Sequence, residues 1–179
     1  MEFRTGDVTD LKDFEPNSFD VVHAHQLVCH VPDKLAALKE MRRVAKPNGI
    51  ISSRDVHHTT LIPADPVLVR MSDKYSDFVR GRGADLTFGA SNHVKAHEAG
   101  FAWDKIETSS WAWEVSGREG RQAWAAAAKG TYATFRADEL KAGVVTDEEL
   151  EVAKQHWDAW AENLEARFVA VDGAVLCWK

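Results

Sequence analysis

The stretch from Phe19 to Val56 constrains this chain more than any other. Phe19-Asp-Val-Val-His-Ala-His25 is short, rich in β-formers and preceded by Pro16-Asn17-Ser18, so it reads as a strand after a turn. A helix is expected over Asp33–Lys46, with Pro32-Asp33 at its start and Asp33 as its N-cap. Leu35, Leu38, Met41 and Val44 recur at three-residue spacing and give it one apolar face. Arg42, Arg43 and Lys46 fall near its end, where cations suit the helix dipole. Pro47-Asn48-Gly49 stops it, and Ile50–Val56 reads as the next strand. Strand, helix and strand in this order make a βαβ unit, with parallel neighbouring strands and a right-handed crossover. The fold class that follows is α/β.

Downstream, Asp65-Pro66 starts a helix with proline in the first turn and Leu68, Met71, Tyr75, Phe78 and Val79 on one face. Gly81-Arg82-Gly83 ends it, and a short helix is expected over Asn92–Ala99, closed by Gly100. Trp103–Val115 reads as a strand and Arg118–Phe135, with its alanine run, as a helix. Thr146 and Glu149 make a capping box for a further helix, whose face would carry Leu150, Ala153, Trp157, Trp160, Leu164 and Phe168. Gly173–Trp178 reads as the last strand.

Composition narrows the function. The net charge of −6 comes without a Lys/Arg stripe, which argues against nucleic-acid partners. No run of residues approaches the ~20 apolar residues of a membrane span, so no membrane partner is expected. Cys29 and Cys177 alone do not make a disulfide framework, and a reducing, cytoplasmic setting is the expectation. Seven tryptophans are unusual; they fill cores or line apolar pockets, and favour an aromatic or apolar small molecule as ligand.

Three segments in order, "GDVTDLKDFEPNSFDVV", "HVPDKLAALKEMRRVAKPNGII" and "RD", resemble the class I S-adenosylmethionine-dependent methyltransferases, in particular the ubiquinone-biosynthesis type. The likeness is specific from Gly6 to Asp55 and looser from Ala99-Gly100-Phe101 to the closing "GAVLCWK". It implies a Rossmann-like sheet, mostly parallel with the closing strand Gly173–Trp178 antiparallel between its neighbours, and flanked by helices; this chain matches its C-terminal half. Met1–Thr5 is similar to the family's third strand, and the family's glycine-rich loop and ribose-binding acid have no match here. The expectation is one partial methyltransferase domain. Residues 1–56, 99–115 and 172–179 would form the sheet core, and 57–98 and 116–171 helical elements on the substrate side. Truncation or an incomplete gene model is expected, with weak or absent cofactor binding. The Asp20–His25 strand would then be an exposed edge, open to a partner strand or a second copy.

The resemblance also assigns roles. Asp7 would accept from the adenine amino group of S-adenosylmethionine, with Val8 against the ring. His25 and Gln26 follow the first strand at the carboxyl edge of the sheet, where α/β ligands bind, and are further cofactor candidates. His30, five residues beyond His25, is the candidate general base for methyl transfer to oxygen. Arg54, Asp55, His57 and His58 end the next strand, and His57, His58, Trp111 and Trp113 are the substrate candidates. His23 points away from Val22 and Ala24 and is read as structural. His93 and His97 share a helix face at a spacing metals accept, but no third ligand is evident and no metal site is expected. The function expected is methyl transfer to a small, aromatic or apolar organic molecule. The alternative is a cofactor-free metabolite-binding protein, cyclase or isomerase derived from such an enzyme.

Overall fold

The computed structural model describes residues 2–141 and 143–179, with side chains 133–141 left aside. Its elements are β1 (Phe19–His25), α1 (Lys34–Val44), β2 (Ala45–Ile62), α2 (Pro66–Arg80), α3 (Asn92–Glu98), β3 (Ile106–Val115), α4 (Arg118–Lys141), α5 (Asp147–Glu162) and β4 (Arg167–Trp178), with single 3₁₀ turns at Val28–His30, Phe88–Ala90 and Trp103–Lys105. The strands form one four-stranded sheet in the order β1-β2-β4-β3.

The βαβ expectation holds. β1 and β2 are parallel, with Val21 opposite Ile50, Val22 opposite Ile51 and His25 opposite Arg54. Asp33 caps α1 by accepting from the Ala36 amide at 2.8 Å. β4 lies between β2 and β3. It runs antiparallel to β2: Asn48 donates to the Lys179 carbonyl and Lys179 to that of Gly49, whereas Arg54, further along β2, meets Asp172. The sheet is therefore mixed, as the closing strand was expected to make it.

Several boundaries differ from expectation. β2 begins directly at Ala45 and runs to Ile62, because α1 ends at Val44 and the chain turns extended at Ala45. Trp103–Lys105 is a 3₁₀ turn, so β3 starts only at Ile106. Residues 2–5 form no strand: Phe3 is exposed, and no neighbouring strand takes up their hydrogen bonds. Leu164 is off the helix face it was expected to share, because α5 ends at Glu162 with an extended cap at Asn163; Phe168 belongs to β4.

The chain divides into two compact units, and the division falls within β2, β3 and β4. The first comprises Met1–His58, Gly83–Trp111 and Val171–Lys179. Its core joins Ala24, Val28, Leu38, Met41, Ile51, Phe88, Phe101, Val175 and Cys177, so one face of β1, β2 and β4 packs against helices. The segment at Phe88–Ala90 crosses this sheet closely: a Cβ on Gly89 would lie 2.1 Å from the Asp55 carbonyl oxygen, and one on Gly173 2.1 Å from that of Gly89. Only glycine allows that approach. The second unit comprises Thr59–Arg82 and Ala112–Ala170, with Leu68, Met71, Leu150, Trp157 and Trp160 in its core.

Candidate functional site

The carboxyl ends of β1 and β2 meet at a tightly bonded loop. Gln26, at φ 48°, turns the chain out of β1, and its amide donates to the Arg54 carbonyl at 2.7 Å. The turn at Val28–His30 is anchored beneath: the Cys29 amide donates to Asp55 Oδ1 at 3.1 Å, and Ser53 Oγ to Asp55 Oδ2 at 2.9 Å. Asp55 and Ser53 are fully buried, so this carboxylate, the end of β2, sets the position of the loop. The Asp85 amide donates to the Cys29 carbonyl at 2.7 Å, which ties a second loop to the same turn. His30 is the exposed last residue of this turn. Burial, and next the Asp55 charge, push the Cys29 thiol up to about 12, which makes it inert as a nucleophile.

His25 is exposed, and its ring lies 6.3 Å from that of His23 on the same side of β1. Asp7 is solvent-exposed; its Oδ1 accepts from the Thr9 amide and hydroxyl, which holds its carboxyl below the usual range. Its Oδ2 accepts no hydrogen bond among the described residues. Val8 is half-buried and lines a cavity of about 260 Å³ with Gly6, Leu11, Phe14 and Val22. An apolar slot beside a free carboxylate oxygen suits a flat heterocycle carrying an amino group.

The remaining sequence candidates separate. His57 lines a second cavity of about 440 Å³, with His93, Asn92, Thr108, Ser109 and Ser110. His58, the next residue on β2, is exposed and is not among the residues lining either cavity. Trp111 lies beneath the Arg54 guanidinium, 3.7 Å from carbon to ring centroid. Trp113 belongs to the second unit, where it packs on Trp124 and Phe168 at 5.9 and 5.7 Å. His97 donates from Nδ1 to the Phe101 carbonyl at 2.9 Å and stacks on Trp103, so it is already engaged. Among the described residues no group of three or more His, Cys, Asp or Glu is placed to hold a metal. No described helix is long and apolar enough to cross a membrane.

One pair went unnoticed in the sequence. Arg54 Nε donates to Asp172 Oδ2 at 2.7 Å, and Nη2 approaches the same oxygen at 2.7 Å. Asp172 is wholly buried. Its only sequence signal is an acid inside the apolar closing strand Val171–Trp178.

Residues 1–53 match the family described as a methyltransferase domain. An uncharacterized methyltransferase of Schizosaccharomyces pombe is 26% identical over 97% of this chain and 63% of its own length. The demethylmenaquinone methyltransferase of Staphylococcus aureus is 43% identical over 41% of this chain and 29% of its own length. The chain thus spans less than two thirds of either relative. Among solved structures, the YcgJ protein of Bacillus subtilis aligns over 99% of this chain and 70% of its own with a TM-score of 0.55 at 19% identity. A Bacillus halodurans protein assigned to the methyltransferases aligns over 99% and 77% with a TM-score of 0.56 at 17% identity. These two carry the Rossmann-like fold.

Proposed function

We propose, for a chain that is a member of the class I S-adenosylmethionine-dependent methyltransferases, that it takes part in methyl transfer to a small organic molecule at the carboxyl edge of β1 and β2. The observation that carries this reading is the Asp55-anchored turn, which brings Gln26 and His30 together at the edge where ligands of parallel sheets bind. S-adenosylmethionine, the cofactor of the family, supplies an electrophilic methyl group on a sulfonium.

The residues of this chain then have separate tasks. Asp7 Oδ2 accepts from the purine amine, and Val8 packs against the ring from the apolar cavity. His25 and Gln26 contact the cofactor as the chain leaves β1. His30 removes the proton of the acceptor oxygen, the task an imidazole performs near neutrality. His57, His58 and Trp111 of the first unit are the acceptor-side candidates. We place the reaction in the cytoplasm. β1, an edge of the described sheet, is the surface on which a second copy or a partner strand would pair.

Titrating the 179-residue chain with S-adenosylhomocysteine while recording amide NMR spectra tests the cofactor side. Weak binding is expected, seen as shifts at Asp7, Val8 and Gln26 that grow with ligand excess and are lost in Asp7→Ala; ligand in large excess that moves none of these amides defeats the assignment. For the base, His30→Ala is expected to lower turnover by about 10²-fold or more while the melting temperature changes little. Full turnover in His30→Ala, with its loss in His57→Ala or His58→Ala, would move the base to the end of β2.

A further inference from the structure

Arg54 and its surroundings carry an inference that rests on the acceptor reading above and goes beyond it. Arg54 alternates with the buried residues Ile51, Ser53 and Asp55 and leaves β2 on the face opposite the helix-packed core. Its guanidinium extends across β4, the neighbouring strand, onto the ring of Trp111 in β3. Nε and Nη2 converge on Asp172 Oδ2 at 2.7 Å each. Stacking and ion pair together fix the plane of the group. Nη1 makes no hydrogen bond among the described residues, and about a quarter of the side chain (24%) is exposed.

Stability alone is a poor account of this arrangement. Exchanging a buried ion pair for packed apolar side chains is often neutral or favourable. Here the pair is also imperfect, because Asp172 Oδ1 is buried with no hydrogen-bond partner among the described residues. A buried acceptor left unsatisfied costs stability, and such exceptions call for an explanation. Holding an arginine at a chosen place and angle is one.

We propose that Arg54 is the recognition residue for a carboxylate on a small, flat organic acid, and that Asp172 positions it. The free Nη1 donors supply directional bonds to oxygen. Trp111, Val21 and Leu176 leave apolar surface exposed on this side of the sheet, which suits an aromatic or apolar frame. His25, opposite Arg54 on β1, offers a further donor and no negative charge. A dianionic phosphate fits less well, because Asp172 repels it doubly while Arg54 provides one cation.

Benzoate is the probe, titrated by calorimetry into the 179-residue chain without cofactor, so that the result does not depend on methyl transfer. Benzoate is expected to bind at least tenfold more tightly than benzamide or inorganic phosphate. Arg54→Met and Arg54→Lys are expected to weaken it tenfold or more with the circular dichroism spectrum unchanged. Asp172→Asn should weaken it to a lesser degree and broaden the Arg54 Nε–H resonance, the mark of a guanidinium no longer held. Absence of benzoate binding overturns the proposal. So does equal affinity for benzamide, tighter binding of phosphate, or undiminished binding by Arg54→Met. Should benzoate bind as expected while His30→Ala leaves turnover intact, the recognition site stands and only the base assignment falls.

Discussion

The two compact units bury their chains by different means. In the first, a sheet closes on helices over aliphatic and sulfur side chains: Val28, Leu38, Met41, Ile51, Val175 and Cys177, with Phe88 among them. In the second, helices meet over indoles: Trp157 and Trp160 lie edge to face at 5.5 Å, and Trp124 and Phe168 pack on each other at 4.2 Å. Among the described residues, Leu150 alone of the largest fully buried side chains belongs to the second unit. Buried polar groups follow the same division. Ser53, Asp55, Asn92 and Asp172 lie in the first unit, Arg121 in the second. A pleated sheet holds short side chains at fixed spacing, so it can seal carboxylates at defined positions. Among the described residues, the first unit holds most of the buried polar side chains and the second the buried indoles.

The largest effect should come from the close-packed core. Leu38→Ala is expected to cost about 2–5 kcal/mol, because the rigid sheet and α1 cannot collapse into the cavity. Trp124→Ala, at the half-buried margin of the second unit, should cost less; urea unfolding of both variants decides, and the reverse order would break the contrast. Asp55→Ala comes next. It strips the Cys29 amide and the Ser53 hydroxyl of their acceptor, at a cost of about 2–3 kcal/mol. Because the turn carrying His30 loses its anchor, amide exchange at Val28–His30 should accelerate more than elsewhere.

A finer test uses the two indoles of α5. Trp157 Nε1 donates to the Tyr132 hydroxyl at 3.0 Å, whereas Trp160 Nε1 is buried without a partner among the described residues. Trp157→Phe should therefore lose about 1 kcal/mol, and Trp160→Phe should lose less or gain, since it removes an unsatisfied donor. Equal losses would show that ring volume alone governs this core.

The smallest effect is electrostatic. Glu149 closes the capping box with Thr146 and pairs with Lys74 at 2.6 Å; the Lys74 ammonium, then the Thr146 amide, hold its carboxyl below the ordinary 4.5. A carboxylate with a depressed folded-state value stabilises fully above its unfolded value and loses that contribution as pH falls through the folded one. Melting curves should therefore show Glu149→Gln less stable than the parent above pH 4.5 by on the order of 0.5 kcal/mol, with the gap closing at lower pH.

Local rules made part of this molecule legible from its sequence. Asp33, Asp65-Pro66 and the Thr146–Glu149 box mark helix starts because capping is settled within one turn of chain. The pattern from Phe19 to Val56 determined parallel pairing, since a crossover of that length allows no hairpin. His25, Gln26 and His30 could be assigned to the carboxyl edge for the same reason. The length of β2, the loss of Leu164 from its expected helix face and the lack of a strand over residues 2–5 depended on which neighbours receive each backbone hydrogen bond. The pairing of Arg54 with Asp172 joins residues 118 positions apart, and the seat of Trp111 under that guanidinium requires β4 to lie between β2 and β3. Capping and periodicity act over a few residues and are written in order along the chain. Strand order and the fate of a buried charge arise from contacts that sequence separation does not reveal, so only the folded arrangement decides them.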